Sequence, residues 1–371
     1  MLAYKLKVMD LALYRKYRPK TFHEVVGQEH VVKSLQGGLE LGKTSHAYLF
    51  VGPRGTGKTT MARLLAKTLN CEKRTDNGGE PCNSCFVCQE FNDGRNLDLT
   101  EIDAASNRGI DEIRNLRESV RFAPSHTRYR VYIIDEVHQL TDAAFNALLK
   151  TLEEPPSHVI FILASTEPQK IPETISSRTQ QFYFRNLTQS QILDKLNRVA
   201  KMEKLNVDDE ALQIVALSGH GSLRDAESNL SKLVSFGSKK ISLAEAQEVL
   251  GFIPLKSFYD FTGLFILNKK EEAVSFINDL YESGVDLEEF SKSFLDYLRR
   301  LLISNLNPAT LVSFAGYNQE EVRLVSSQAK VLTKEQIVQL VKVFMKAREE
   351  MKISPIPQLP LELAVIEYFG N

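Results

Sequence analysis

The run Gly52-Pro-Arg-Gly-Thr-Gly-Lys-Thr59 constrains this chain more than any other stretch. It matches G-x-x-x-x-G-K-[ST], with the apolar run YLFV at 48–51 before it and an amphipathic helical pattern at 59–70 after it. Glycines there let backbone N–H groups turn inward and approach phosphate oxygens, and the start of the following helix adds partial positive charge. The pattern assigns Gly52, Pro53, Arg54, Gly55, Thr56, Gly57, Lys58, Thr59 and Thr60 to a nucleoside triphosphate. Lys58 is expected on the β- and γ-phosphates and the Thr59 hydroxyl on magnesium.

The surrounding sequence supports a strand–loop–helix context. Residues 11–185 alternate β-rich apolar runs with helical patterns, which predicts a parallel α/β sheet. Strands are expected at 47–51, 97–102, 131–134, 160–165 and 181–184, with helices at 29–41, 59–70, 110–120 and 143–152. The strand at 131 is almost wholly apolar, as a central strand covered on both faces should be. It ends in two carboxylates, Asp135 and Glu136, at the edge where open α/β sheets bind ligands. Asp135 suits organisation of magnesium, and Glu136 suits activation of an attacking water. A solvated acidic strand end is the competing account, and the upstream loop makes it the weaker one.

Beyond Thr188 the β signal fades. Segments 189–204, 209–218, 223–235 and 243–250 read as short amphipathic helices, and long helical patterns follow at 287–306 and 334–351. The proline-rich stretch 354–360 ends one helix ahead of a last short one. These breaks divide the 371 residues into 1–185, 186–250 and 251–371. The stripe Phe290, Phe294, Tyr297, Leu298 and Leu301 fits either intramolecular core or an interface. No apolar run is long enough to span a bilayer, and residues 1–10 lack the apolar stretch of a secretory signal, so a soluble cytoplasmic protein away from membranes is expected. A formal net charge of −1 argues against adhesion to nucleic acid through bulk charge, and leaves room for a local basic surface.

All four cysteines fall between Cys71 and Cys88, which scattered structural disulfides would not do. Cys71 is followed by Cys82-x-x-Cys85-x-x-Cys88, and Asn77, Gly78, Gly79 and Pro81 supply a loop able to fold back. Thiolate pairs two residues apart suit tetrahedral zinc, and four protein ligands would make the site structural. An iron–sulfur cluster competes on the same ligands.

The chain resembles the AAA+ ATPases and, among them, the gamma/tau subunits of bacterial DNA polymerase III clamp loaders. The resemblance rests on LYRKYRP at 13–19, TFHEVVGQ at 21–28, HAYLF at 46–50, EIDAAS at 101–106, DEVH at 135–138, FNALLKTLEEPP at 145–156 and GSLRDA at 221–226. It is strong over roughly residues 11–235 and follows only helical pattern beyond. It implies an AAA+ core with a parallel sheet sandwiched by helices, a zinc module inserted at 71–88, an all-α lid bundle and an all-α collar that holds subunits in a ring. Zinc is the metal it favours for the four cysteines.

The resemblance also implies roles that spacing alone leaves unassigned. Thr166 matches the sensor 1 position, which contacts the γ-phosphate or the attacking water. Ser177-Arg178 matches the Ser-Arg-Cys motif, whose arginine acts on ATP held by the neighbouring subunit; Thr179 stands where the family has the cysteine. Arg224 matches sensor 2 on the lid helix. Arg18, Pro19 and Val26, with Leu223, fall where the family grips the adenine end. Asn107 and Arg108, with Arg114 behind them, are the candidates for primer-template DNA. The implied partners are delta, delta-prime and further gamma/tau subunits, together with the sliding clamp. By length the chain resembles the short gamma form or a truncated tau, and Met9 is a candidate start. The implied activity is ATP hydrolysis that drives clamp loading. The alternatives are a ring subunit that binds ATP without turnover and another AAA+ DNA-processing ATPase.

Overall fold

Apolar β-rich runs separated by helical patterns have one stable arrangement, a parallel sheet with its crossovers packed on both faces. The computed structural model describes residues 12–74, 79–237, 240–306 and 319–370. Met9, Asn77 and Gly78 lie outside them. Two compact units result: one holds the chain up to Asn206 with Val215–Gly237, the other Val207–Ile214 with the chain from Ser238.

In the first unit α1 (Leu13–Lys16) and α2 (Glu29–Glu40) precede β1 (Ala47–Val51) and α3 (Lys58–Leu69). Then come α4 (Phe86–Asp93), β2 (Leu99–Asp103), α5 (Ile110–Ser119), β3 (Arg130–Asp135), α6 (Asp142–Glu153), β4 (Val159–Ser165), α7 (Glu173–Ser176) and β5 (Gln180–Tyr183). The five strands are parallel in the order β2-β3-β4-β1-β5. Leu49, Tyr132, Phe161 and Leu163 face one core, and Phe50, Val131, Ile133 and Ile162 face the other, as a period of two demands. The strand order sets the carboxyl ends of β3, β4 and β1 side by side.

All five expected strands are present, with small shifts at their ends. β2 starts at Leu99, two residues later than the apolar run, and Asp98 is the reason. Its buried carboxylate accepts hydrogen bonds from the amides of Ser125, His126 and Thr127 and from the Thr127 hydroxyl, which anchors the chain before the ladder begins. Leu97 is consequently left exposed at 73%. Helix α4 was not anticipated.

The next helices are α8 (Gln189–Glu203), α9 (Asp209–Ser218), α10 (Leu223–Ser235) and α11 (Leu243–Val249). Thr188 and Gln191 form a capping box on α8, and the Ser222 and Ser242 hydroxyls accept amides at the starts of α10 and α11. Such caps are worth about 1 kcal/mol each.

The second unit continues with α12 (Leu255–Ile266), α13 (Lys270–Glu282), α14 (Leu287–Leu306), α15 (Gln319–Ala329), α16 (Lys334–Met351) and α17 (Leu359–Gly370). Phe290, Phe294, Tyr297, Leu298 and Leu301 are at most 1% exposed and pack with Phe261 and Phe344. The α14 stripe is therefore intramolecular core. No helix among the described residues is long and apolar enough to cross a membrane.

Candidate functional site

The loop between β1 and α3 turns where its glycines permit it. Gly55 has φ +72° and Gly57 +101°, conformations a side chain rarely adopts. A Cβ on Gly55 would lie 1.8 Å from Ser222 Oγ, so the loop packs directly under the start of α10. No side chain caps α3, which leaves its first amides to an anion. Lys58 is 6% exposed, and its Nζ donates to the carbonyls of Gly52 and Pro53, both at 2.8 Å. Burial lowers its pKa, and Glu136 and Asp135 oppose that shift.

Thr59 Oγ1 donates to Asp135 Oδ2 at 2.7 Å, so the loop and the acidic strand end form one site. Glu136 follows in a left-handed conformation, φ +48°, which turns its carboxylate away from the strand direction. Its Oε2 accepts from Thr166 Oγ1 at 2.8 Å and from the Thr166 amide at 3.3 Å. Lys58, Thr59, Asp135, Glu136 and Thr166 thus come from three different strand ends and converge. A hydroxyl and a carboxylate suit a hard cation such as magnesium, and the second carboxylate suits a general base.

Arg224, near the start of α10, is exposed and lies over the Tyr14 ring, 5.0 Å from its centroid. Arg178 lies elsewhere on the surface: its Nη2 donates to Glu153 Oε1 and its Nη1 to the Thr174 carbonyl, both at 2.8 Å, with 36% of the side chain exposed. It does not join the loop of its own chain in the contacts described. Pro19, Val26 and Leu223 are half-buried. Arg18 is pushed down to about 10 by burial and by nearby Arg63, which leaves it charged at neutral pH. Among the DNA candidates, Asn107 Nδ2 donates to the Asp103 carbonyl at 3.0 Å, Arg108 is exposed, and Arg114 pairs with Asp111 at 3.2 Å.

The four cysteine sulfurs lie within 4.8 Å of one another and are free thiols. A zinc tetrahedron with bonds of about 2.3 Å places its sulfurs about 3.8 Å apart, inside that limit. The amides of Cys82, Cys85 and Cys88 point at the sulfurs of Cys71, Cys82 and Cys85, at 3.3–3.4 Å, an arrangement able to stabilise thiolates. Lys67 on α3 is 4% exposed, and its Nζ donates to the Lys20 carbonyl and to Asn83 and Asn92 Oδ1. That lysine stitches the cysteine segment to the helix that begins at the phosphate loop.

Several polar residues at the site have no role assigned by the sequence patterns, although Gln28 and His138 close the stretches TFHEVVGQ and DEVH. Gln28 is fully buried, donates to the carbonyls of Arg185 and Thr56, and accepts the Arg185 amide. Glu227 on α10 is 5% exposed and raised to about 7 by burial, against the pull of Lys195 and Arg18. His138 stands beside Glu136, with Glu167 on the other side of its ring. Burial and partners identify these residues, and neither is readable from residue spacing.

Comparison with known proteins adds an independent line. Residues 27–188 match the family profile described as DNA polymerase III, delta subunit. Residues 191–239 match the DNA polymerase III clamp loader subunit ATPase lid domain, and 241–369 match DNA polymerase III subunits gamma and tau domain III. The chain is 41% identical to DNA polymerase III subunit tau of Bacillus subtilis over 96% of its length, and 39% identical to that of Escherichia coli over 95%. It spans only 62% and 54% of those two relatives. DNA polymerase III subunit gamma of Buchnera aphidicola is 34% identical, with 95% of this chain and 97% of the relative covered. Among solved structures, a Thermotoga maritima RuvB Holliday junction branch migration motor aligns over 73% of this chain and 86% of its own, at 18% identity and a TM-score of 0.47, a likeness too loose to carry weight.

Proposed function

The chain belongs to the DNA polymerase III gamma/tau family, and from that premise we propose that it is an ATP-hydrolysing motor subunit of a clamp loader, placing a sliding clamp on primed DNA. The observation that carries the reading is the 2.7 Å contact between Thr59 and Asp135, with Lys58 and Glu136 beside it. A subunit that kept ATP only as a stabilising ligand would have no need of a second carboxylate at the end of β3.

In this reading the loop 52–60 cradles the phosphates of ATP, and Lys58 gives up its two carbonyl partners to reach them. Thr59 and Asp135 hold magnesium, which offsets phosphate charge. Glu136 takes a proton from the attacking water, and Thr166 orients the same carboxylate through its hydroxyl. Arg18, Pro19, Val26 and Leu223 border the base, and Arg224 reports on the phosphates from the lid. Arg178 serves the nucleotide of an adjoining subunit. Asn107, Arg108 and Arg114 face primer-template DNA. The ring partners are delta, delta-prime and further gamma/tau copies, in the cytoplasm. The ATPase core at 1–185, lid at 186–250 and collar at 251–371 divide these tasks.

Steady-state ATP turnover by the reconstituted complex, with primed DNA and clamp, tests the proposal. Turnover should rise when DNA and clamp are present together, and Lys58→Ala should weaken nucleotide affinity about ten- to hundredfold by removing a charged donor. A wild-type complex without turnover would favour the structural-subunit reading, and turnover that ignores DNA and clamp would favour another AAA+ ATPase.

The four cysteines hold structural zinc in the same proposal. Protein purified without chelator should carry about one zinc per chain, and Cys88→Ala should lower this below about half an equivalent. Because Lys67 ties the segment to α3, chelation should also expose the amides of 79–93 to hydrogen exchange. Iron in place of zinc, or neither metal in the wild-type protein, would refute the assignment.

A further inference from the structure

A buried imidazole requires hydrogen-bonding partners, and the choice of partners shows what it is for. His138 sits in the turn after β3, between the buried apolar residues Val137 and Leu140, with only 3% of its side chain exposed. Its Nδ1 lies 3.1 Å from Ser165 Oγ and 3.4 Å from Glu136 Oε2. On the other side of the ring, Nε2 lies 3.2 Å from Glu167 Oε1 and 3.0 Å from Gln139 Nε2. Ser165 Oγ in turn accepts the Glu167 amide at 3.0 Å, and Lys170 holds Glu167 Oε2 at 2.9 Å. One ring therefore spans from the carboxylate at the end of β3 to the segment Ser165-Thr166-Glu167 at the end of β4.

The same Glu136 Oε2 takes the Thr166 hydroxyl. With the Thr166 hydroxyl bonded to that oxygen and the His138 ring 3.4 Å from it, Glu136 is bounded from two directions, by Thr166 at the end of β4 and by a ring bonded to Ser165 there. The left-handed backbone at Glu136 cannot by itself fix the side chain, because it sets only where the Cβ begins. We propose that His138 is a positioning residue for hydrolysis: its Nδ1, hydrogen-bonded to Ser165 Oγ and packed against Glu136, holds the Glu136 carboxylate against the end of β4, while Nε2 meets Gln139 Nε2 and faces Glu167. The proposal rests on the ATPase reading above and adds to it a residue that touches neither phosphate nor metal. A general base displaced by about 1 Å can lose about a hundredfold in rate, so a support of this kind has a measurable effect.

The test uses the full complex with clamp and primed DNA, and reads kcat, KM for ATP and the affinity for a fluorescent non-hydrolysable ATP analogue. His138→Ala should lower kcat about tenfold or more, with KM and analogue affinity within about twofold of wild type. His138→Asn, whose amide nitrogen can occupy the Nδ1 position, should return kcat to within about threefold of wild type. His138→Gln, which reaches the Nε2 position instead, should not. Unchanged kcat in His138→Ala, a loss that appears in KM and nucleotide affinity, or rescue by Gln equal to that by Asn would overturn the proposal. If the alanine variant fails to fold, the comparison of Asn with Gln decides alone. Glu136→Gln measured in parallel separates the two levels: full turnover there would remove Glu136 as the base that His138 positions, whereas a wild-type complex without turnover would remove the ATPase reading itself.

Discussion

Glu136→Gln is expected to lower ATP turnover by about two to four orders of magnitude while leaving nucleotide affinity within about twofold. The size follows from what the substitution removes. Gln keeps the volume of the side chain and can still meet the Thr166 hydroxyl, but it cannot accept a proton from water. The phosphate contacts depend on the loop 52–60 and on Lys58, and none of these is altered. Lys58 feels the Glu136 charge, so a small gain or loss in affinity is expected. Glu136 is 30% exposed in its side chain, and nothing in the buried sheet rests on its charge, so stability should stay within about 0.5 kcal/mol. Turnover and binding of a fluorescent nucleotide, measured on the same preparation, check the split. Turnover within tenfold of wild type would show that another group activates the water, and equal losses in both would place Glu136 in binding.

The parts of this site that were legible in the sequence are those fixed by local chemistry. Glycines at 52, 55 and 57 announce backbone that only glycine adopts easily, and all three do take positive φ. Asp135 and Glu136 end a strand that is apolar because both of its faces are covered. The cysteine spacing brings the sulfurs together by a turn of the chain. Strand order is a different kind of information. Nothing local to 131–138 or 160–167 states that β3 and β4 are neighbours, so the meeting of His138 with Ser165 and Glu167 was invisible. Helix α4 escaped for a related reason. Its eight residues have too few apolar positions to show a period, and Cys85 caps it with a sulfur that accepts the Cys88 amide. The α14 stripe shows the converse limit, since a helical period reports that a face is covered without saying by what.

Arg178→Ala is expected to lower turnover in the assembled ring by about a thousandfold, and to leave nucleotide binding by the isolated chain unchanged. The guanidinium sits at the surface beside the start of β5, held by Glu153 Oε1 and the Thr174 carbonyl at 2.8 Å each. At 36% side-chain exposure an ion pair of this kind is worth at most about 1 kcal/mol, so transfer to a phosphate of an adjoining subunit costs little. A phosphoryl group in its transition state offers more charge than Glu153 and a drier setting, and a planar fork of donors suits it. Thr179 in place of the family's cysteine leaves that fork intact. Glu153→Ala supplies the control: if Glu153 only parks the arginine, its removal should leave turnover in the ring within about twofold. Mixed rings give the sharper measurement. A subunit carrying Arg178→Ala should silence the nucleotide site of its neighbour, while its own site, completed by a wild-type arginine from the other side, continues to turn over. If the loss instead follows the mutated chain's own nucleotide, or if Arg178→Ala rings retain full turnover, the arginine does not act across the interface and hydrolysis must be completed within each chain.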